Sequence, residues 1–164
     1  MDTTDELMAI EEIRRLKARY FRDLDTKDWE DLPSVFTVDA VFDLRAVNSI
    51  RHPITRAWEP PLAGDDQVFT GREAVTAMIR SAIEHLYTVH HAHVPEIRIL
   101  SSTSATGIWP MEDELRHASG ELLLKGSGYY HETYEREDDQ WRIKTSVLSR
   151  LALQGGVLSV EPTI

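Results

Sequence analysis

An α+β fold, with helices first and a run of long strands after them, is what this sequence predicts. Two patterns carry that expectation. Apolar residues recur at helical spacing near the N-terminus and again around residues 72–85. From residue 88 onward the chain turns rich in β-branched and aromatic residues, in four long stretches separated by the turn-forming segments SSTS, HASG and REDD.

Each element follows from local pattern. Residues 5–24 place Ile10, Ile13, Leu16, Tyr20 and Leu24 on one helical face, with Glu11, Glu12, Arg15, Arg19 and Arg22 on the other. Thr3 or Thr4 supplies the cap, and Glu6 is placed to assist it. A short second helix fits residues 29–36, because Pro33 is tolerated near a helix start or at a bend. Residues 40–44 read as a short strand. Residues 47–68 carry Pro53, Pro60, Pro61, Gly64 and an Asp65–Asp66 pair, so they form a loop, yet Ile50, Ile54, Trp58 and Leu62 give it apolar weight. Such a segment is either a lid or a surface loop that tucks one Trp against the body. Gly71 opens a helix over 72–85, with Val75, Met78, Ile79 and Ile83 on one side. Strands follow over 88–100, 105–116, 122–136 and 140–153. In the last, Trp141, Ile143, Thr145 and Val147 alternate with Arg142, Lys144 and Ser146, which predicts one buried and one wet face. Helices would then pack on one face of an antiparallel meander. With no repeat and no boundary, the expectation is a single domain over residues 1–164, its core in 5–153 and a loose tail over 154–164.

Composition excludes several function classes. The chain of 164 residues has no Cys, which removes disulfides, thiolate metal sites and cysteine nucleophiles. A net charge of −10 with no Lys/Arg cluster repels phosphate backbones, so nucleic acid is not an expected partner. No apolar run approaches a membrane span, and the acidic start MDTTDELMAIEEI is unlike a signal peptide. A cytoplasmic protein with no membrane partner is expected.

Three of the seven histidines fall in Val89-His90-His91-Ala92-His93, inside a strand. There His91 and His93 share one face while His90 points to the other, although Pro95 threatens that register. Three readings stand. One His is a general base; or His91 and His93 chelate a metal; or all three are polar residues of a pocket wall or strand edge. No local motif marks a third ligand, so no metal is assigned. Asp25 ends the first helix, where a carboxylate meets the negative end of the helix dipole, but Leu24-Asp25-Thr26-Lys27-Asp28 also reads as a polar turn. Tyr20 lies on the apolar stripe, by default core with its hydroxyl near a surface. Arg150 interrupts Val147, Leu148 and Leu151, and reaches either solvent or a partner.

The stretches IEEIRRLKARYFRDLDTKDWEDLPSVFTVDAVF, FTGREAV, TVHHAHVPEIRI, STSATGIWPMED and GYYHETYEREDDQWRIKTSVLSR together resemble the SnoaL-like branch of the nuclear transport factor 2-like superfamily over about residues 10–153. The nearest resemblance is to the bile-acid 7α-dehydratase type, and a more distant one is to hexachlorocyclohexane dehydrochlorinase. What this implies for the fold is a cone-shaped α+β barrel, a curved antiparallel sheet wrapped around the N-terminal helices with an internal apolar pocket. For the site it implies catalytic Tyr20 and Asp25, from Y-F-R-x-L-D, His90, the first residue of H-x-x-H-x-P-E-I, and Arg150, nine positions after the Trp of Q-W. The dehydrochlorinase's Asp–His dyad falls on the same Asp25 and His90. Residues 47–68 match no pattern of either group.

On this basis Asp25 orients His90, His90 moves a proton, and Tyr20 donates to a carbonyl oxygen gaining charge. Arg150 binds a substrate anion or holds the last strand. Trp58, His93, Trp109 and Tyr130 are the candidate substrate-binding residues, and no metal or cofactor is required. The function expected is a cofactor-free lyase of dehydratase type acting on a hydrophobic cyclic substrate, steroid-, terpenoid- or polyketide-like. Isomerases and cyclases would use the same dyad, and a binding module of the same fold would use none. The family precedent adds a homodimer or homotrimer through the outer sheet face.

Overall fold

The computed structural model describes residues 2–159. Helix α1 (Thr3–Thr26) is capped one residue earlier than expected: Asp2 accepts from the Asp5 N–H at 2.8 Å, and Asp5 accepts in return from the Asp2 N–H. This reciprocal box satisfies two free donors of the first turn without either Thr. At the other end Lys27 adopts φ 61° and its ammonium donates to the Leu24 carbonyl at 3.1 Å, so a left-handed residue and a cation close the helix together.

The helix expected over 29–36 shrinks to a single 3-10 turn, Leu32–Val35, beginning beside Pro33. Strand β1 (Phe36–Asp43) starts at once, because Phe36, Thr37 and Val38 suit a pleated surface and Phe36 finds a partner in Ile143. The following loop contains two short strands, β2 (Ile50–Arg51) and β3 (Trp58–Glu59), paired with each other. Strand β4 (Val68–Thr70) returns against β1 and leads through Gly71, at φ 94°, into α2 (Arg72–Ile83). That positive φ is the backbone requirement a glycine meets. The stretch 88–100 is two strands, β5 (Tyr87–Ala92) and β6 (Glu96–Ile99), since Pro95 cannot donate to the ladder. Long strands β7 (Ser104–Arg116), β8 (Leu122–Glu137) and β9 (Gln140–Gly155) complete the chain.

The result is the α+β cone: β7, β8 and β9 form an antiparallel centre, and β5 and β6 both pair antiparallel with the outer side of β7. On the other side the sheet is mixed, because β1 and β2 run parallel to β9. The expectation of a wholly antiparallel barrel is corrected there: α2 and the meander intervene between β1 and β9, giving the long crossover that parallel pairing needs. The sheet curves without closing.

Its concave side holds the core. Ile13, Leu16, Tyr20 and Leu24 of α1 and Val75, Met78, Ile79 and Ile83 of α2 pack over Met111, Leu115, Leu124, Tyr130, Ile143 and Leu148. Burial of one such aliphatic or aromatic side chain stabilises the fold by about 1.5–3 kcal/mol. The alternation expected in β9 holds for Trp141 and Ile143 and then inverts. A bulge between the Thr133 and Tyr134 pairings inserts an extra residue, so Ser146, Leu148 and Arg150 face inward and Val147 turns out. The bulge is what brings Arg150 inside.

The tail expected to be loose is partly tied. β9 continues to Gly155, and the Asn48 side chain exchanges two hydrogen bonds with the Leu158 backbone at 2.9 and 3.0 Å. Residues 160–164 of that tail lie outside the described residues. No helix among the described residues is long and apolar enough to cross a membrane.

Candidate active site

The C-terminus of α1 meets β5 at one end of the concave face. Asp25 leaves the helix pointing at the strand and collects three hydrogen bonds. His90 Nδ1 lies 2.7 Å from Oδ1, the His90 N–H donates to Oδ2 at 2.9 Å, and the Thr88 hydroxyl donates to Oδ1 at 2.9 Å. Lys27 in turn donates to Thr88 Oγ1 at 2.8 Å. The carboxylate that opposed the helix dipole is thus held from outside the helix. Burial by itself would raise the Asp25 carboxyl, but the bonds and charge of His90 and the Thr88 hydroxyl outweigh it and keep the group below its ordinary 3.8.

In β5 the alternation is as read from the sequence: Thr88 and His90 turn inward, while His91 is exposed. The His90 ring stacks on Phe21 at 5.6 Å between centroids. With Nδ1 committed to Asp25, Nε2 has no hydrogen-bond partner among the described residues. The arrangement assigns the Nδ1–H tautomer and leaves the Nε2 lone pair available.

His90 lines a mostly apolar cavity of about 60 Å³ with Tyr20, Leu24, Phe42, Met78, Ile83, Leu115, Tyr130 and Leu148, and Val47 and Leu158 belong to the same lining. The Tyr20 hydroxyl is directed at that of Tyr130. Burial first, then the neighbouring Tyr130 and Glu132, push Tyr20 well above its ordinary value; burial and Asp113 do the same for Tyr130. Both phenols are therefore protonated donors at neutral pH.

Arg150 also lines this cavity, but its charge is already used. Its two terminal nitrogens donate to both oxygens of Asp113 at 2.7 and 2.8 Å, and Nε donates to the Val47 carbonyl at 3.1 Å. Asp113 was absent from the sequence reading. Its signal was present all the same, a carboxylate on the face that carries Trp109, Met111 and Leu115 along one strand.

A second buried cluster lies behind the tyrosines. Lys17 bonds Glu132 at 2.5 Å, and Glu132 also accepts from Ser146 at 3.1 Å and from Tyr134 at 2.5 Å. The Trp109 indole donates to the Tyr134 hydroxyl at 2.6 Å. The Lys17 ammonium sits 3.8 Å from the Tyr130 ring centroid and 4.5 Å from that of Tyr20. Burial pulls the Lys17 ammonium down, and the Glu132 charge opposes that.

The structure thus brings Tyr20, Asp25, His90, Arg150 and Tyr130 to one place. The other three candidates lie elsewhere. Trp109 belongs to the sealed cluster. Trp58 sits in the 44–67 loop with the Arg51 guanidinium over its ring at 5.7 Å. His93 is exposed on the outer face, its Nε2 3.9 Å from Glu112. It lies one residue past the end of β5 and is exposed like His91, whereas the His90 side chain is mostly covered. Among the described residues no group of three or more His, Cys, Asp or Glu is placed to hold a metal ion.

Comparison with known proteins agrees with this architecture. Residues 5–147 match the family model of the SnoaL-like domain. A candidate cyclase from Gibberella zeae is 24% identical over 154 residues, covering 92% of this chain and 95% of the relative. A candidate scytalone dehydratase structure from Novosphingobium aromaticivorans superposes with TM-score 0.75 at 21% identity, over 99% of this chain and 97% of that one. The hexachlorocyclohexane dehydrochlorinase LinA-type3 from Novosphingobium barchaimii gives TM-score 0.72 at 16% identity, over 98% and 100%. At such identities the structural likenesses establish the nuclear transport factor 2-like fold and no more.

Proposed function

The chain belongs to the SnoaL-like domain family, and from that premise we propose that it is a cofactor-free lyase of dehydratase type acting on a hydrophobic cyclic substrate. The observation that carries the reading is the Asp25–His90 contact at 2.7 Å, with the free Nε2 on the wall of an apolar cavity. The cyclase, dehydratase and dehydrochlorinase descriptions of the relatives support a family that converts small molecules.

The mechanism follows from the groups present. His90 Nε2 removes a proton from carbon beside a substrate carbonyl, and Asp25 stabilises the imidazolium without taking the proton. The electron pair moves onto the carbonyl oxygen, where a donated hydrogen bond from Tyr20 or Tyr130 stabilises it; one such donor is worth roughly 10²–10³ in rate. His90 then returns the proton to the departing hydroxyl, and water leaves. Isomerisation or cyclisation would use the same first step and differ in where the proton goes. Arg150, its charge already paired with Asp113, acts in this scheme by holding the wall.

The test uses 3-hydroxycyclohexanone, whose dehydration to cyclohex-2-enone is followed by absorbance. Wild-type protein is expected to accelerate the reaction, while folded His90→Ala and Asp25→Ala lose that acceleration by at least about 10²-fold. Full activity in either variant would remove the dyad from the mechanism. A second reading, a binding module without turnover, draws on the small cavity, about 60 Å³ against the several hundred typical of ligand sites. Binding of the ketone without enone formation would favour it.

A further inference from the structure

Arg150 and Asp113 form a pair that the sheet is built to hold. Arg150 is 2% exposed and Asp113 5%, and they sit on β9 and β7 with β8 running between them. The guanidinium reaches across because β8 has Gly126 directly opposite Asp113. A Cβ on Gly126 would fall 2.5 Å from Arg150 Nη1 and 2.8 Å from Asp113 Oδ1, so any side chain there would displace the pair. Four of the five guanidinium N–H groups are directed at Asp113, Val47 and, at 3.7 Å, the Met111 sulfur; one N–H on Nη2 remains.

The other basic side chains near the cavity are matched as well. His90 faces Asp25, and Lys17 faces Glu132 with both side chains 0% exposed. Among the described residues the cavity wall therefore presents no cation without its own carboxylate. A substrate carboxylate entering here would lose its water, gain no free counter-charge, and lie close to Asp113. A buried charge in that position is strongly disfavoured. A neutral carbonyl or hydroxyl suffers no such penalty and can use the remaining Nη2 N–H and the tyrosine hydroxyls.

We infer that the Asp113–Arg150 pair is a charge filter, which makes the cavity select an uncharged, oxygen-bearing ring compound and reject the carboxylate of the same shape. The inference rests on the reading of this cavity as the substrate site. It also reassigns Arg150, from the binding of a substrate anion to the setting of selectivity by having its charge cancelled.

Benzamide and benzoate test it, because they match in size and differ in charge. Both exceed the volume of the cavity and must push the same lining aside, so that common cost cancels in the comparison. Binding to the full chain at pH 7 is read by NMR, using the His90 ring signals as the local reporter. Wild-type protein is expected to bind benzamide at least about tenfold more tightly, a difference of about 1.4 kcal/mol. Asp113→Asn keeps the shape and frees the Arg150 charge, and is expected to reverse the order. Benzoate binding as tightly as benzamide in wild-type protein would overturn the filter while leaving the cavity as the substrate site. If neither compound moves the His90 signals, the site reading fails and the filter with it. The wild-type comparison decides the matter even if Asp113→Asn does not fold.

Discussion

Two of the polar connections that helix α1 makes to the sheet lie eight residues apart and are built in opposite ways. Lys17 meets Glu132 in a sealed space where both side chains are 0% exposed and each oxygen of Glu132 has a partner. Asp25 meets His90 at the cavity wall, with side chains 25% and 7% exposed, and one ring nitrogen is left without a partner. Both join a helix to a strand through an ion pair or its equivalent. What separates a structural link from a candidate catalytic one is the unused valence and the space beside it. Phe21 touches both groups, and Tyr20 and Tyr130, which pack on Lys17, line the same cavity as His90. The sealed pair therefore braces the wall on which the open one acts.

The sharpest way to break this contrast is Lys17→Met. Removing one member of a sealed pair leaves the Glu132 charge buried, at a cost of about 3–5 kcal/mol. In a chain of this size that corresponds to a fall in Tm on the order of 10 °C. Adding Glu132→Leu is expected to recover much of the loss in thermal denaturation, because the stranded charge goes with it. At the open pair, His90→Ala is expected to remove turnover with a much smaller change in Tm. If Lys17→Met and His90→Ala shift Tm equally, the distinction between the two connections fails.

Gly126→Ala tests the third pair with a smaller expected effect. The new methyl group collides with Arg150 and Asp113, and such overpacking typically costs about 1–3 kcal/mol. Urea denaturation measures it directly. An unchanged midpoint would show that β8 has room the geometry denies.

Much of this was legible in the sequence and some was not, for definable reasons. Helical spacing and β-branched runs located α1, α2 and the three long strands, since those are local properties. The short motifs around Tyr20, Asp25 and His90 pointed to residues that do converge. The parallel pairing of β1 with β9 was not legible, because it joins segments a hundred residues apart with no local mark. The inversion in β9 was missed because a bulge depends on the partner strand; the plain alternation put Val147 inside and Ser146 outside. Trp58, His93 and Trp109 lie outside the cavity lining, and residue type does not say which face of the sheet a side chain occupies. Asp113, Lys17 and Glu132 were the opposite case. Each is a charge in an apolar face, and pairing those anomalies across the sequence would have found two of the buried ion pairs.

Acidity separates the open pair from the sealed one more gently. The Asp25 carboxyl is depressed in the folded protein, so its contribution is fully present above the unfolded value near 3.8 and is lost as pH falls through the folded value. Asp25→Asn removes that dependence. Stability measured by urea at pH 6 and again below pH 3.8 is expected to fall less steeply in the variant than in wild-type protein. Parallel decline would mean that the three hydrogen bonds at Asp25 do not favour its ionised form.

The smallest expected effect lies at the mouth of the cavity. Leu158 is part of its lining, and the backbone of Leu158 is held by the side chain of Asn48 through one donated and one accepted bond. Each such exposed or half-buried bond contributes about 0.5–1.5 kcal/mol. Their loss acts on the tail alone, because the core strands do not depend on it, so global Tm should move little in Asn48→Ala. The consequence falls on access instead. A cavity of about 60 Å³ holds roughly two waters, so a ring-sized ligand must push lining side chains aside, and Leu158 is the one that Asn48 holds. Weakening the latch lowers the cost of that displacement. Stopped-flow measurement of benzamide binding is expected to show a faster association rate in Asn48→Ala, by a few-fold, with the preference for benzamide over benzoate unchanged. That selectivity is set deeper, by Asp113 and Arg150. A change in preference without a change in rate would instead make the mouth, and not the buried pair, the element that sorts ligands by charge.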